Sequence, residues 1–216
     1  LCAGTGTIAR AIIKNKTERL RSPKAAFKTT WIADKYAYPL QIANISVTNM
    51  EALNRPLNIF QSDVCAVNTN HKIEIKSPVD GSGIEKAIPK FGAIVSNLPF
   101  VEYNKIGADE IEYISQYRQQ IKDNTGIEFT LGKTDLYNYL PFKLHGLLKA
   151  GGRLGIIVSN SWLGTEIGRK FFEALQFYYQ VQSVVISNCK RWFENADVVA
   201  TLLVLQRKEV SAPDEQ

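Results

Sequence analysis

The sequence predicts an α/β fold with helices packed on a mostly parallel sheet, and three features carry that prediction. A glycine-rich turn, Leu1-Cys2-Ala3-Gly4-Thr5-Gly6-Thr7, runs into the apolar-periodic segment Ile8 to Ile13, the pattern of a turn feeding a helix. Two strand-like runs, Thr29 to Asp34 and Leu57 to Asp63, each end in an acid. A further apolar run, Phe91 to Ser96, leads directly into Asn97-Leu98-Pro99-Phe100, so a polar side chain, a proline and an aromatic stand where a buried strand should end. With 216 residues, 45% of them hydrophobic, the chain can bury one sizeable core and needs no second domain.

Taken in order, each element has a local reason. Gly4 and Gly6 permit backbone angles and close contacts that a side chain would block, and the helix that follows offers free amide donors at its start. In a parallel sheet, ligands lie beyond the carboxyl ends of the strands, so Asp34 and Asp63 are expected to face the same crevice as the glycine turn. Between residues 68 and 90, Ser, Pro, Asp and Gly surround the alternating run Lys72-Ile73-Glu74-Ile75-Lys76, which reads as a surface excursion or small hairpin. Val101 to Lys133 is rich in charge and tyrosine and is expected to hold a helix, Asp109 to Lys122, within a mobile insertion that closes over substrate.

The second half continues the alternation. Asp135-Leu136-Tyr137 opens a helical pattern ending at Leu147-Leu148-Lys149-Ala150-Gly151-Gly152, and Arg153 to Leu163 follows as strand and loop. A helix from Thr165 to Gln176, a strand from Val181 to Ser187 and a strand from Val198 to Gln206 complete the order. Lys190-Arg191-Trp192-Phe193 places rings beside cations in the loop between the last two strands.

The succession of glycine turn, acid, acid and Asn-Leu-Pro-Phe, followed by the Asp-Leu-Tyr and Gly-Gly segments, resembles the N6-adenine DNA methyltransferases of type I and type IIG restriction-modification systems. The resemblance covers most of the chain. It implies a Rossmann-like S-adenosylmethionine-dependent methyltransferase fold, its sheet mostly parallel with an antiparallel last strand. It also implies that residues 1–208 form the catalytic domain and 209–216 a charged tail. Cofactor contacts would come from Cys2, Ala3, Gly4, Thr5 and Gly6, from Asp34 at the ribose hydroxyls, and from Asp63 with Val64 at the adenine. Asn97, Leu98, Pro99 and Phe100 would form the catalytic loop, and Phe100 and Phe193 would contact the target base, with Trp192 as the alternative ring. The family's pattern has a proline where this chain has Leu98, which keeps the carbonyl but loses the fixed φ. The resemblance sets Leu1 inside the first motif, so the strand expected before it, with its acid, falls outside this numbering.

The chemistry so implied is direct methyl transfer to an exocyclic amine of adenine in DNA. The side-chain oxygen of Asn97 and the carbonyl of Leu98 would accept its two hydrogens, and the base would be flipped out of the duplex to reach them. A planar amino group is also presented by RNA adenine and by a protein glutamine, and a degenerate copy could bind cofactor or nucleic acid without turnover. Glycine turns and strand-end acids serve NAD-dependent dehydrogenases as well. A net charge of +5 suits a polyanionic partner. Sequence recognition is expected from a domain or subunit outside this chain.

Cys2, Cys65 and Cys189 are odd in number and without metal-ligand spacing, which argues against a disulfide framework or zinc site and for a reducing compartment, the bacterial cytoplasm by default. His71 and His145 lie far from any ligand cluster. No apolar run approaches the roughly 18 residues of a membrane span.

Overall fold

In the computed structural model, which describes residues 1–48, 53–101, 105–129, 135–187, 192 and 199–208, the chain divides into two units, Leu1–Pro89 and Lys90–Gln216. Each has its own sheet.

In the first unit, helix α1 spans Thr7–Leu20, about two turns longer at its far end than the apolar period suggested. Ala9 and Ile13, four residues apart, are its buried positions, and nothing stops the helix until Arg21, which takes a left-handed φ of 48°. Helix α2 (Pro23–Lys28) starts immediately, with Pro23 in its first turn and the Ser22 hydroxyl accepting the Ala25 N–H at 3.2 Å, a strong N-terminal signal. Strand β1 (Trp31–Asp34), helix α3 (Ala37–Val47) and strand β2 (Asn58–Gln61) follow. β1 and β2 pair in parallel from Trp31↔Asn58 to Asp34↔Gln61. Ala9, Ile13, Phe27, Ile32, Leu40 and Val47 form the core between helices and strands.

The expected hairpin is present: β3 (Lys72–Lys76) and β4 (Gly83–Ala87) pair antiparallel from Lys72↔Ala87 to Lys76↔Gly83. Buried Asn58 fastens it to the strand pair. The Asn58 amide donates to the carbonyls of Lys28 and Thr30 at 3.0 and 3.2 Å, and its oxygen accepts from Lys86 Nζ at 2.8 Å.

The second unit is built on a four-stranded sheet ordered β5 (Phe91–Asn97), β6 (Leu148–Ser159), β8 (Ala200–Arg207), β7 (Tyr179–Ile186). β5 and β6 are parallel, and β8 runs antiparallel to both its neighbours, as the resemblance implied for the last strand. Among the described residues the predicted single sheet is thus a parallel pair in one unit and this four-stranded sheet in the other. β6 also begins five residues before Arg153, where the sequence suggested helix. Leu148 is already extended and pairs with Phe91, and Gly151, at φ +65°, sits where the register slips before Ala93↔Arg153. The two glycines that look like a helix terminus serve a bulge inside the strand instead.

Helices α4 (Ala108–Thr125), α5 (Leu140–Leu147) and α6 (Glu166–Tyr178) belong to this unit. The insertion helix is therefore real and slightly longer than expected. It buries Ile114 and Ile121, seven residues apart on one face, and Asn124 donates to the Tyr178 hydroxyl at 2.7 Å. Alternate residues of β6, Leu154, Ile156 and Val158, are fully buried with Leu203 and Leu205 of β8 and Phe171 and Leu175 of α6. His145 lies against Tyr178 and Tyr179 at 5.2 and 5.3 Å, a packing role within α5.

Candidate active site

The glycine turn is laid across the carboxyl end of β1. Ala3 N–H donates to the Ala33 carbonyl at 3.0 Å and Gly4 N–H to Asp34 Oδ2 at 2.8 Å. Gly6 closes the turn by donating to the Ala3 carbonyl at 3.0 Å, and its own carbonyl accepts from Arg10 N at 2.8 Å to begin α1. The two glycines do different work. Both have positive φ, +52° and +88°, but nothing lies within 4 Å of where a Cβ on Gly4 would be, whereas one on Gly6 would come within 2.9 Å of the Ala43 backbone in α3. Gly6 lets a helix pack on the turn, and Gly4 leaves the turn open. Of the neighbouring predicted residues, Cys2 is half-buried with a positive φ of 53°, and the Thr5 carbonyl accepts from the Ser46 hydroxyl at 3.1 Å.

Asp34 is the last residue of β1 and pairs with Gln61, the last of β2. Asp63 comes two residues later, after Ser62 N–H has bonded to the Asp34 carbonyl at 2.9 Å. The first unit therefore does bring Gly4, Asp34 and Asp63 to one end of its strand pair. Both carboxylates arrive with partners. Asp34 accepts from Gly4 N–H and, at 3.1 Å through Oδ1, from Tyr36 N–H. Asp63 accepts from Cys65 N–H at 2.9 Å and pairs with Lys35 Nζ at 3.0 Å. A carboxylate has about four lone-pair sites, so each acid keeps acceptor capacity beyond these bonds. Val64, next to Asp63, is buried. The Lys35 pairing is not legible in the sequence, because it depends on parallel strands bringing residues 28 apart side by side.

In the second unit Asn97 ends β5 opposite Ile157 of β6. The chain then leaves the sheet under two restraints. Leu98 N–H donates to the Ile157 carbonyl at 3.1 Å with its side chain wholly buried, and the Val101 carbonyl accepts from Leu136 N–H at 3.1 Å. Pro99 and Phe100, between those anchors, are half-buried. Burying Leu98 thus fixes the loop from below at the position where the family pattern would use a proline ring. Among the described residues, Asn97 Oδ1 is buried with no hydrogen-bond partner. A buried acceptor left unpaired costs roughly 1–3 kcal/mol, a cost that a ligand's donor would remove.

The turn that holds Val101 is itself held. Asp135 N–H donates to Asn138 Oδ1 at 3.0 Å, and the Tyr137 hydroxyl meets the Ser161 hydroxyl at 2.9 Å. Burial pushes the Tyr137 phenol above its usual range, so it stays neutral and keeps its proton for that bond. Ser161 and Asn138 had no assigned role in the sequence, although Asn138 directly follows the Asp-Leu-Tyr segment and Ser161 lies in the Arg153 to Leu163 strand and loop. Phe193, the expected base contact, lies outside the described residues. Its neighbour Trp192 is 40% exposed. Among the described residues no group of His, Cys, Asp and Glu could hold a metal ion, and no helix is long and apolar enough to cross a membrane.

Against known proteins, a family model for the Eco57I restriction-modification methylase matches residues 14–193. No curated protein matches the chain. Among solved structures, the chain is similar to a putative class I S-adenosylmethionine-dependent methyltransferase from Listeria monocytogenes, with a TM-score of 0.63 at 12% identity over 100% of this chain and 55% of that one. It is similar to the M protein of the type I restriction enzyme EcoKI, at 0.53 and 15% over 97% and 39%. The type ISP restriction-modification enzyme LlaGI, in complex with a DNA substrate mimic, matches at 0.63 and 14% over 96% and 20%. At these identities the likeness shows the fold, that of class I S-adenosylmethionine-dependent methyltransferases. The chain spans about half the length of the first of these proteins and less of the others.

Proposed function

The chain belongs to the Eco57I restriction-modification methylase family, and from that premise we propose that it transfers a methyl group from S-adenosylmethionine to the N6 amino group of adenine in DNA. The observation that carries this reading is the buried Oδ1 of Asn97, without a hydrogen-bond partner among the described residues, at the end of β5 and at the head of the Asn-Leu-Pro-Phe loop. A buried acceptor with no described partner suits a planar ligand with N–H groups.

The residues of the first unit fit the cofactor. The open side of Gly4 admits close approach, and Asp34 and Asp63 keep acceptor sites for hydroxyl and amino donors. When bound, S-adenosylmethionine supplies a sulfonium methyl that can leave its bonding electrons on sulfur. The chain's own part is to prepare the nucleophile. An adenine amino nitrogen is poor because its lone pair is delocalised into the ring. Hydrogen bonds from its two hydrogens to Asn97 Oδ1 and to the Leu98 carbonyl localise that pair and offset the positive charge that builds on nitrogen as the new bond forms. Fixing those acceptors before substrate arrives is the function of the Leu98 and Val101 anchors. Phe100 offers a ring to stack on the base once it leaves the duplex, and Phe193 is proposed as a second.

The test is incubation of the protein with methyl-labelled S-adenosylmethionine and unmethylated DNA, RNA or total protein, followed by identification of the labelled product. Label in N6-methyladenine from DNA is expected. Label confined to RNA adenine or to glutamine would move the substrate, and cofactor binding without transfer would make the chain a binding module.

A further inference from the structure

The charge of this chain is concentrated at one place. Residues 1–33 hold seven cations and one acid, Glu18, leaving 19 cations against 20 acids for all the rest. Lys16 is engaged, donating to the Thr29 carbonyl at 2.9 Å and the Thr30 hydroxyl at 3.3 Å. The other six, Arg10, Lys14, Arg19, Arg21, Lys24 and Lys28, are all exposed, and none makes an ion pair among the described residues.

Helix-end electrostatics accounts for part of this set, since Arg19 and Arg21 lie where the α1 carbonyls end and favour cations. It does not account for Arg10 and Lys14 in the middle of α1. These two are four residues apart, as are Lys24 and Lys28 in α2, and like charges at that spacing repel each other. Arg10 and Lys14 lie one turn apart on the same face of α1, and Arg21 follows as its C-cap. Arg10 and Lys14 also edge a depression: with Ile13, Thr17 and the acid Glu18 of α1 and Ser46 near the end of α3, they line a groove of about 400 Å³. Among the described residues Arg10 and Lys14 make no ion pair, so cations outnumber the one acid, Glu18, at this groove, a balance complementary to a polymer with regularly spaced negative charge.

We infer that Arg10 and Lys14 of α1, with Arg21 at its C-cap, bind the phosphate backbone of duplex nucleic acid as a sequence-independent contact. The choice of nucleic acid over another polyanion rests on the proposed function. Such a contact contributes through counterion release, so it is read in the salt dependence of affinity, which loses about 0.9 from the slope for each phosphate contact removed.

The experiment titrates the full chain with an end-labelled duplex of mixed sequence across a salt series. It compares the wild type with Arg10→Gln/Lys14→Gln/Arg21→Gln and with the control Lys72→Gln/Arg169→Gln/Lys170→Gln. The control removes the same charge from cations already paired with acids. The patch variant is expected to lose about 2–3 from the slope of log K on log salt while the control loses less than one, and Arg10→Lys/Arg21→Lys should keep the wild-type slope. Equal slopes for the two triple variants would overturn the inference. So would loss of binding to a poly-glutamate probe with duplex binding unchanged. Methyl transfer by the wild type, measured in parallel, reports on the proposed function alone, so the patch can fail while that reading stands.

Discussion

The two units hold their polar groups in opposite ways. In Leu1–Pro89 the acids arrive bonded: Asp34 to two backbone N–H groups and Asp63 to Cys65 N–H and Lys35. In Lys90–Gln216 the amide at the strand end, Asn97, has a buried oxygen with no partner among the described residues. The difference separates two kinds of site residue. Asp34 shapes the turn as well as offering lone pairs to a ligand, so its removal should damage structure and binding together. Asn97 supports no other described group through that oxygen, so its removal should strike chemistry and spare the rest.

The sharpest way to break this contrast is Asn97→Ala. Losing one preorganised hydrogen-bonding group of this kind costs about 10²–10³-fold in turnover. We expect a fall of at least that size in single-turnover methyl transfer, with cofactor affinity by calorimetry within a fewfold and a melting temperature that does not fall, since the unpaired buried acceptor leaves with the side chain. A matching loss of cofactor affinity would make Asn97 a cofactor residue and end the comparison.

A second contrast lies within the turn. Gly6→Ala places a Cβ within 2.9 Å of the Ala43 backbone, and overpacking costs about 1–3 kcal/mol on top of roughly 1–2 kcal/mol for a left-handed residue with a side chain. Gly4→Ala carries only the second cost, because its Cβ would meet nothing. Thermal melts should therefore rank Gly6→Ala as much the less stable, while cofactor titration should show Gly4→Ala losing affinity out of proportion to its stability. Equal effects of the two on both measurements would mean that the open side of Gly4 faces no ligand.

Much of this was legible in the sequence, and what was not has identifiable causes. The run into α1, strand β1 ending at Asp34, a second strand closing two residues before Asp63, the Lys72–Lys76 hairpin and the order of the last strands follow from periodicity and turn residues, and the structure has them. Helix α3 went unread because its apolar residues are not confined to one face: Tyr38 and Ile45 are 74% and 77% exposed, and Pro39 sits in its first turn. Leu147-Leu148 reads as helix because both are apolar and buried, yet the backbone changes type between them. Asn97 was legible as a motif, but its unpaired oxygen was not, since that depends on how β5 is laid against β6, opposite Ile157. The pairing of Asp63 with Lys35 likewise depends on strand register.

A smaller effect tests the dual role of Asp34. Asp34→Asn keeps one oxygen for the turn but loses the charge and one acceptor, whereas Asp34→Ala frees both N–H donors. Hydrogen bonds to a charged group contribute roughly 1.5–3 kcal/mol, so cofactor affinity should fall about tenfold or more in either variant. Only Asp34→Ala should also lower the melting temperature clearly. If the two variants melt alike, the Gly4 and Tyr36 bonds do not hold the turn.

The smallest effect comes from Lys35→Met. Its pair with Asp63 is largely open to solvent, the lysine side chain being 44% exposed and the acid 23%, and such pairs contribute about 0–1 kcal/mol to stability. Melting should hardly move. For cofactor the sign is informative: if Lys35 competes for the oxygen that an adenine amino group needs, removing it tightens binding by a fewfold. If instead its charge keeps Asp63 oriented, removing it weakens binding by a similar factor. Either shift should shrink as salt is raised, because an exposed charge pair is screened. A salt-independent change would place the effect in packing rather than charge, and Asp63 would then be a bystander to its lysine.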